Sequence, residues 1–293
     1  MTRPRAESRI LDAAARRALG GTFAELPQGF ARYRLQGPSD GDLVVLIHGY
    51  SVASFVWEPL EKLLAAQGFA TLSYDMPGHG LSDRPQTEYT RELFRDHLAA
   101  LIAALAPDAR LHLVGWSMGA MVASAFAVRH KDRVASLFFV SPSGLPIRIG
   151  MLGRTAFVPV LGDLGFAMIG SASLRAAQAN FFADGKVPQP FLDRYDRQAA
   201  FKGFARAMLS TLRCMNMDDF REGYAALGAS DLPAEVVWAR ADRATPFANH
   251  ETFARLVPQA RIHPLDGVGH ASQFEAPDLI ASHLVPWLRE RIG

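Results

Sequence analysis

The sequence predicts an α/β fold in which a mostly parallel central sheet is flanked by helices and interrupted late by a helical insertion. Three observations carry this expectation. Short apolar runs such as Leu43-Val44-Val45-Leu46-Ile47 and Val134–Val140 lack polar alternation, as strands buried on both faces require. They alternate with stretches of helical spacing, most clearly residues 90–105, where Leu93, Phe94, Leu98, Leu101, Ile102 and Leu105 recur. From residue 145 to residue 230 the rhythm stops, in a stretch much longer than the ~12–15 residues of an ordinary connection.

Taken in order, residues 1–21 carry Arg3, Arg5, Arg9, Arg16 and Arg17 among alanines, interrupted by Glu7 and Asp12, and predict a short amphipathic helical extension. Residues 30–35 mix apolar and polar positions, as a half-exposed edge strand does, and Gly37-Pro38-Ser39-Asp40-Gly41-Asp42 is a turn. The strand 43–47 ends in His48-Gly49-Tyr50. A helix over 55–67, a strand over 69–74 and the loop Asp75-Met76-Pro77-Gly78-His79-Gly80 follow. Pro107 ends the helix of 90–105, and Leu111-His112-Leu113-Val114 enters the turn Gly115-Trp116-Ser117-Met118-Gly119. A helix to Arg129 and the strand Val134–Val140 complete the first part of the core. After the insertion come the strands Ala234–Ala239 and Arg261–Leu265, with a helix over 248–256 between them, and a last helix over 277–291. The organisation expected is a core over residues 1–144, a helical cap over 145–230 and the rest of the core over 231–293.

At 293 residues with 49% hydrophobic content the chain can bury a large core, so general disorder is excluded. Lys and Arg number 31 against 29 Asp and Glu, and they are scattered, so no stripe for nucleic acid is expected. The single cysteine, Cys214, cannot form an internal disulfide, and no signal-type apolar region follows the basic start; a cytoplasmic location is the expectation. There is no run of roughly 18 uncharged apolar residues, so no transmembrane span is expected.

The turn around Ser117 is the chemical centre of the chain. A serine held where a strand reverses into a helix is conformationally strained, and Gly115 and Gly119 leave room on either side. A serine hydroxyl is a poor nucleophile at neutral pH and needs a general base. Of nine histidines, His48 and His79 sit in tight glycine turns suited to structural hydrogen bonds, and His97, His112, His130, His250, His263 and His283 fall on helices or strands with ordinary surroundings. His270 stands in Asp266-Gly267-Val268-Gly269-His270-Ala271, a loop directly after a late strand, and is the expected base. Asp242, just after the strand Ala234–Ala239, is the expected carboxylate that orients it. Asp266, inside the histidine's own loop, is expected to shape the turn, and Ser141-Pro142-Ser143 offers no acid. The oxyanion needs two backbone N–H donors, and Met118 and Tyr50 are placed to supply them. No metal or organic cofactor is implied, because the chain has no His-Glu-x-x-His, cysteine cluster or dinucleotide glycine fingerprint.

His48-Gly49-Tyr50, the block Asp75-Met76-Pro77-Gly78-His79-Gly80-Leu81-Ser82-Asp83, Gly115-Trp116-Ser117-Met118-Gly119, Asp242-Arg243 and Gly269-His270 resemble, in order, the recurring blocks of the α/β-hydrolase superfamily. The resemblance covers residues 43–288 apart from the cap. It implies the α/β-hydrolase fold and the order Ser117, Asp242, His270. It also implies a serine hydrolase of the carboxylesterase and monoacylglycerol-lipase-like kind. Its substrate would be a small-molecule ester with an apolar acyl part, cleaved through an acyl-enzyme. Ser117 argues against the dehalogenases and epoxide hydrolases, which carry Asp at that turn. Carbon–carbon bond hydrolases and cofactor-free perhydrolases or haloperoxidases use the same triad and remain alternatives, as does a non-catalytic small-molecule receptor; a homo-oligomer is left open. Selectivity is expected in the cap. Its apolar residues, from Leu145, Ile147, Ile149, Met151 and Leu152 through Phe157, Val158, Val160, Leu161, Leu164, Phe166, Met168 and Ile169, are expected mostly to pack on one another and on the core. The remainder would line an acyl pocket.

Overall fold

A computed structural model describes residues 7–38, 41–147 and 155–292. Its centre is an eight-stranded sheet made of β1 (Thr22–Leu26), β2 (Gly29–Gln36), β3 (Asp42–Ile47), β4 (Thr71–Tyr74), β5 (Arg110–Trp116), β6 (Val134–Val140), β7 (Ala234–Ala239) and β8 (Arg261–Leu265). The spatial order is β1-β2-β4-β3-β5-β6-β7-β8. Strands β3 to β8 pair in parallel, whereas β1 and β2 form an antiparallel hairpin that joins the sheet antiparallel to β4. The α/β-hydrolase fold expected from the sequence is the one observed.

The inner strands are where the apolar runs placed them. Leu43, Val44, Val45, Leu46 and Ile47 are fully buried between β4 and β5. Each such side chain contributes about 1.5–3 kcal/mol on burial. The helix after Ser117, Met118–Arg129, is apolar nearly all round and lies in the middle of the molecule, which is where such a helix has to be. β1 was not anticipated. Its five residues, Thr-Phe-Ala-Glu-Leu, are exposed or half-buried except at Leu26, so it lacks the apolar signal of the inner strands.

Near the start, residues Ala13–Leu19 form a short helix with no buried residues, capped by Asp12, which accepts from the Ala15 N–H at 2.7 Å. Residues 1–6, with Arg3 and Arg5, lie outside the described residues, as do Ser39, Asp40 and residues 148–154 of the apolar stretch.

Between β6 and β7 the described residues form helices at Leu161–Gly165, Ser171–Ala177, Gln189–Ala199, Phe204–Cys214 and Arg221–Gly228, with no named strand among them. One expectation fails here. Phe157, Val158, Val160, Leu161, Leu164, Met168 and Ile169 are all exposed, Met168 to 82%, so most of this apolar stretch does not pack on the core. Leu145, at the start of the insertion, is buried as expected, and further buried apolar residues lie beyond the exposed stretch, among them Phe182, Phe191, Tyr195, Phe204 and Met208.

Three histidines are buried beneath the carboxyl edge of the sheet. His48 Nε2 accepts the Met76 N–H at 2.9 Å, which requires a neutral ring, and Nδ1 lies 2.8 Å from the Gly49 carbonyl. Burial pushes His48 down to about 4, against the pull of Asp75. Burial, reinforced by His48, takes His97 to about 3 and His79 well below its ordinary value. The unfolded chain therefore binds protons at these sites from about pH 6.5 downward, while the folded chain does not until near pH 4 or lower. Stability is expected to fall as pH drops below 6.5, by up to about 1.4 kcal/mol per pH unit for each histidine. Denaturant midpoints at pH 7.0 and 5.5 check this, and equal midpoints would contradict it.

Candidate active site

The strand order reverses at β3: the chain passes from β3 to β4 on one side and then crosses to β5 on the other. In an open parallel sheet this is where the crevice beyond the carboxyl ends opens. The loop after β3, His48-Gly49-Tyr50, and the turn after β5, centred on Ser117, meet there. A Cβ on Gly49 would lie only 3.1 Å from the Ser117 Cβ.

Ser117 has φ 54° and ψ −119°, a conformation that costs a non-glycine residue roughly 1–3 kcal/mol. The surroundings hold it there. Its N–H donates to the Val140 carbonyl at 3.1 Å, and its own carbonyl accepts from Ala120 and Ser143 at 3.0 and 3.2 Å. The flanking glycines are steric necessities. A Cβ on Gly115 would come within 2.7 Å of the Ala120 backbone, and one on Gly119 within 2.1 Å of the Ile47 carbonyl oxygen. Met118 begins the helix, so its N–H has no intrahelical acceptor.

Asp242 and His270 come together from the loops after β7 and β8. His270 Nδ1 lies 2.7 Å from Asp242 Oδ2, with both groups buried. Asp242 Oδ1 accepts the N–H groups of Ala244 and Thr245 at 2.8 and 2.7 Å, and Oδ2 accepts the Thr245 hydroxyl at 2.9 Å. Burial disfavours the carboxylate, but His270 and these donors outweigh it, and Asp242 titrates below its ordinary value. The Trp116 indole donates to the His270 carbonyl at 2.8 Å and its ring lies 5.1 Å from the imidazole, which seats His270 against the residue preceding Ser117. The hydrogen bonds of the described residues do not include one between Ser117 Oγ and His270, a contact that often tightens only in the reacting complex.

The insertion is bonded to both loops. The Tyr50 hydroxyl donates to the Met208 carbonyl at 3.0 Å, and Gln198 donates to the Ser51 carbonyl at 2.9 Å while accepting the Gly80 N–H at 2.8 Å. On the other side the Ala271 N–H donates to the Phe181 carbonyl at 2.8 Å, and the Phe181 ring packs 5.1 Å from the His270 ring. An apolar cavity of about 510 Å³ opens beside Tyr50, lined by Leu161, Phe166, Ile169, Leu174 and Leu212 among others. A larger hollow of about 630 Å³ lies between Glu7 and Met168; neither cavity is lined by Ser117, Asp242 or His270, and only the smaller one reaches Tyr50.

A model of the alpha/beta hydrolase family matches residues 44–283. The chain belongs to that family. Among curated proteins, the hydrolase is 24% identical over 283 residues to a non-heme chloroperoxidase of Streptomyces lividans, covering 88% of this chain and 95% of the relative. It is 26% identical over 268 residues to a 2-hydroxymuconate semialdehyde hydrolase of Pseudomonas sp. (strain CF600), covering 88% and 91%. Among solved structures, an esterase from Exiguobacterium antarcticum superposes with a TM-score of 0.78 at 19% identity over 92% of this chain and 100% of the other, a likeness of fold.

Thr245 was not anticipated from the sequence. Its signal was present: an Asp followed two and three residues later by free backbone N–H groups is an Asx turn, and a threonine there can reach back to the carboxylate. Thr245 Oγ1 also lies 3.3 Å from His270 Nδ1. Thr245→Val removes one donor to a buried carboxylate and is expected to lower kcat about tenfold, with KM changed less than threefold. Unchanged steady-state constants would show that Thr245 does not help to hold the pair.

Proposed function

We propose that this alpha/beta hydrolase cleaves carboxylic esters through an acyl-enzyme. The observation that carries the reading is the strained Ser117 turn, seated beside a buried His270–Asp242 pair at 2.7 Å. Ser117 Oγ attacks the ester carbonyl, and its proton passes to His270 Nε2. The imidazolium is stabilised by Asp242 and returns the proton to the leaving alcohol. The N–H groups of Met118 and Tyr50 hold the oxyanion, at the start of a helix whose dipole favours negative charge. Water, activated by His270, then releases the acid. The helical insertion acts as a cap, and the cavity beside Tyr50 takes an apolar acyl part.

Covalent labelling tests the reading. A fluorophosphonate is expected to modify the protein once, on the peptide that contains Ser117, and to abolish p-nitrophenyl ester hydrolysis in step. Absence of labelling in folded protein would favour a non-catalytic receptor.

A second reading draws on the two relatives named above. The same triad can serve carbon–carbon bond hydrolysis or perhydrolysis. Turnover of a vinylogous diketone, or peroxide-dependent halogenation, above the rate on every ester of a chain-length series would support it.

A further inference from the structure

Away from the serine, the amino-terminal half of β7, the middle of β8 and the C-terminal helix Pro277–Arg289 bring three donor side chains together. In the β7–β8 ladder Glu235 pairs with Arg261, and Val237 with His263. Residues two apart share a face, so Glu235 and His263 project from the same side of the sheet. His283 reaches them from the helix, and one donor atom from each of the three lies within 4.8 Å of the others.

The polar accounting of this cluster is incomplete. Glu235 is a carboxylate with a side chain only 6% exposed, 3.1 Å from Arg261 Nη2 and 3.4 Å from His263 Nε2. His263 Nε2 is itself buried and makes no hydrogen bond. The two imidazole rings stand 4.9 Å apart, tilted by 44°. A buried ring nitrogen that makes no hydrogen bond, 3.4 Å from a buried carboxylate and beside a second imidazole, offers the donor chemistry of a ligand set.

We propose that Glu235, His263 and His283 form a transition-metal site, with zinc as the ion that fits best, which fastens the C-terminal helix to the β7–β8 edge. Two imidazoles and a carboxylate with one position left for water match the ligand preferences of Zn²⁺, and the imidazoles disfavour Mg²⁺ and Ca²⁺. At metal–ligand distances of ~2.0–2.2 Å, tetrahedral donors stand about 3.4 Å apart, so the observed spread closes by side-chain rotation on the order of 1 Å. Arg261 is the obvious competitor for Glu235. It has a second partner in Glu290, 3.4 Å from Nη2, and its guanidinium lies 5.1 Å from the Trp287 ring centre, so it keeps compensation when the carboxylate turns to the ion. The site is structural. It reaches the chemistry only through β7 and β8, whose following loops present Asp242 and His270.

The test uses full-length protein freed of metal by a chelator. Calorimetric titration with zinc chloride is expected to show one equivalent bound, and saturating zinc to raise Tm by at least about 3 °C, while magnesium does neither. Cobalt is expected to give the visible absorption of a four-coordinate ion. His283→Ala alters a partly exposed helix position and leaves the sheet intact; it is expected to weaken zinc binding at least 100-fold and to abolish the cobalt spectrum. His263→Ala should do the same, so that a folding defect in one variant does not decide the matter. Zinc binding of equal affinity in wild type and His283→Ala, or no response of wild type to zinc, would overturn the proposal.

Discussion

Ser117→Ala is expected to lower kcat for p-nitrophenyl ester hydrolysis by about 10⁴- to 10⁶-fold, because the residual rate then comes only from oxyanion stabilisation and binding. The stability expectation is separate and makes the result interpretable. Alanine keeps the φ of 54° and its strain, so Tm should move by no more than a degree or two. Ser117→Gly should be as inactive yet up to about 1 kcal/mol more stable, since glycine adopts this conformation without a Cβ penalty. Inactive variants with unaltered or raised Tm would tie the loss to the hydroxyl. Full activity in Ser117→Ala would remove Ser117 as the nucleophile.

Asp242→Asn is expected to cost about 10⁴-fold in kcat, with KM within a few-fold of wild type. The asparagine carbonyl can still accept the Ala244 and Thr245 N–H groups, so the loop keeps its shape. The amide –NH₂ would face His270 Nδ1 and donate to it. That forces the ring proton onto Nε2, the atom that has to receive the serine proton, and it removes the charge that stabilises the imidazolium. A reduction of less than tenfold would show that Asp242 is not the orienting acid. Steady-state kinetics, with circular dichroism to confirm folding, decide between these outcomes.

How far the sequence reached can be seen residue by residue. β6 and β7 begin and end at the residues their apolar runs indicated, because a strand buried on both faces leaves no choice of composition; β8, Arg-Ile-His-Pro-Leu at the sheet margin, is also found at its expected bounds although only Leu265 is buried. Ser117, Asp242 and His270 were legible for a related reason: each follows a strand, and the carboxyl ends of parallel strands converge. β1 was not, since a hairpin strand at the margin carries little apolar signal. The exposed face over residues 157–169 was misjudged because hydrophobicity reports a tendency to be buried and is silent about what does the burying. Thr245, and the company kept by His263 and His283, depend on side chains from different elements meeting. No local pattern records that.

The bonds from the insertion to the Tyr50 loop and to the Ala271 amide carry one more consequence. They make the inserted helices a brace spanning the loop of Tyr50 and the loop of His270. A movement that lifted residues 178–208 away would break Tyr50–Met208, Gln198–Ser51 and Ala271–Phe181 together. On the proposed mechanism, opening by that route and disarming the site are a single event. Substrate entry and bond cleavage would then alternate in time, unless entry uses the loosely packed side near Leu161 and Ile169, where the brace does not reach.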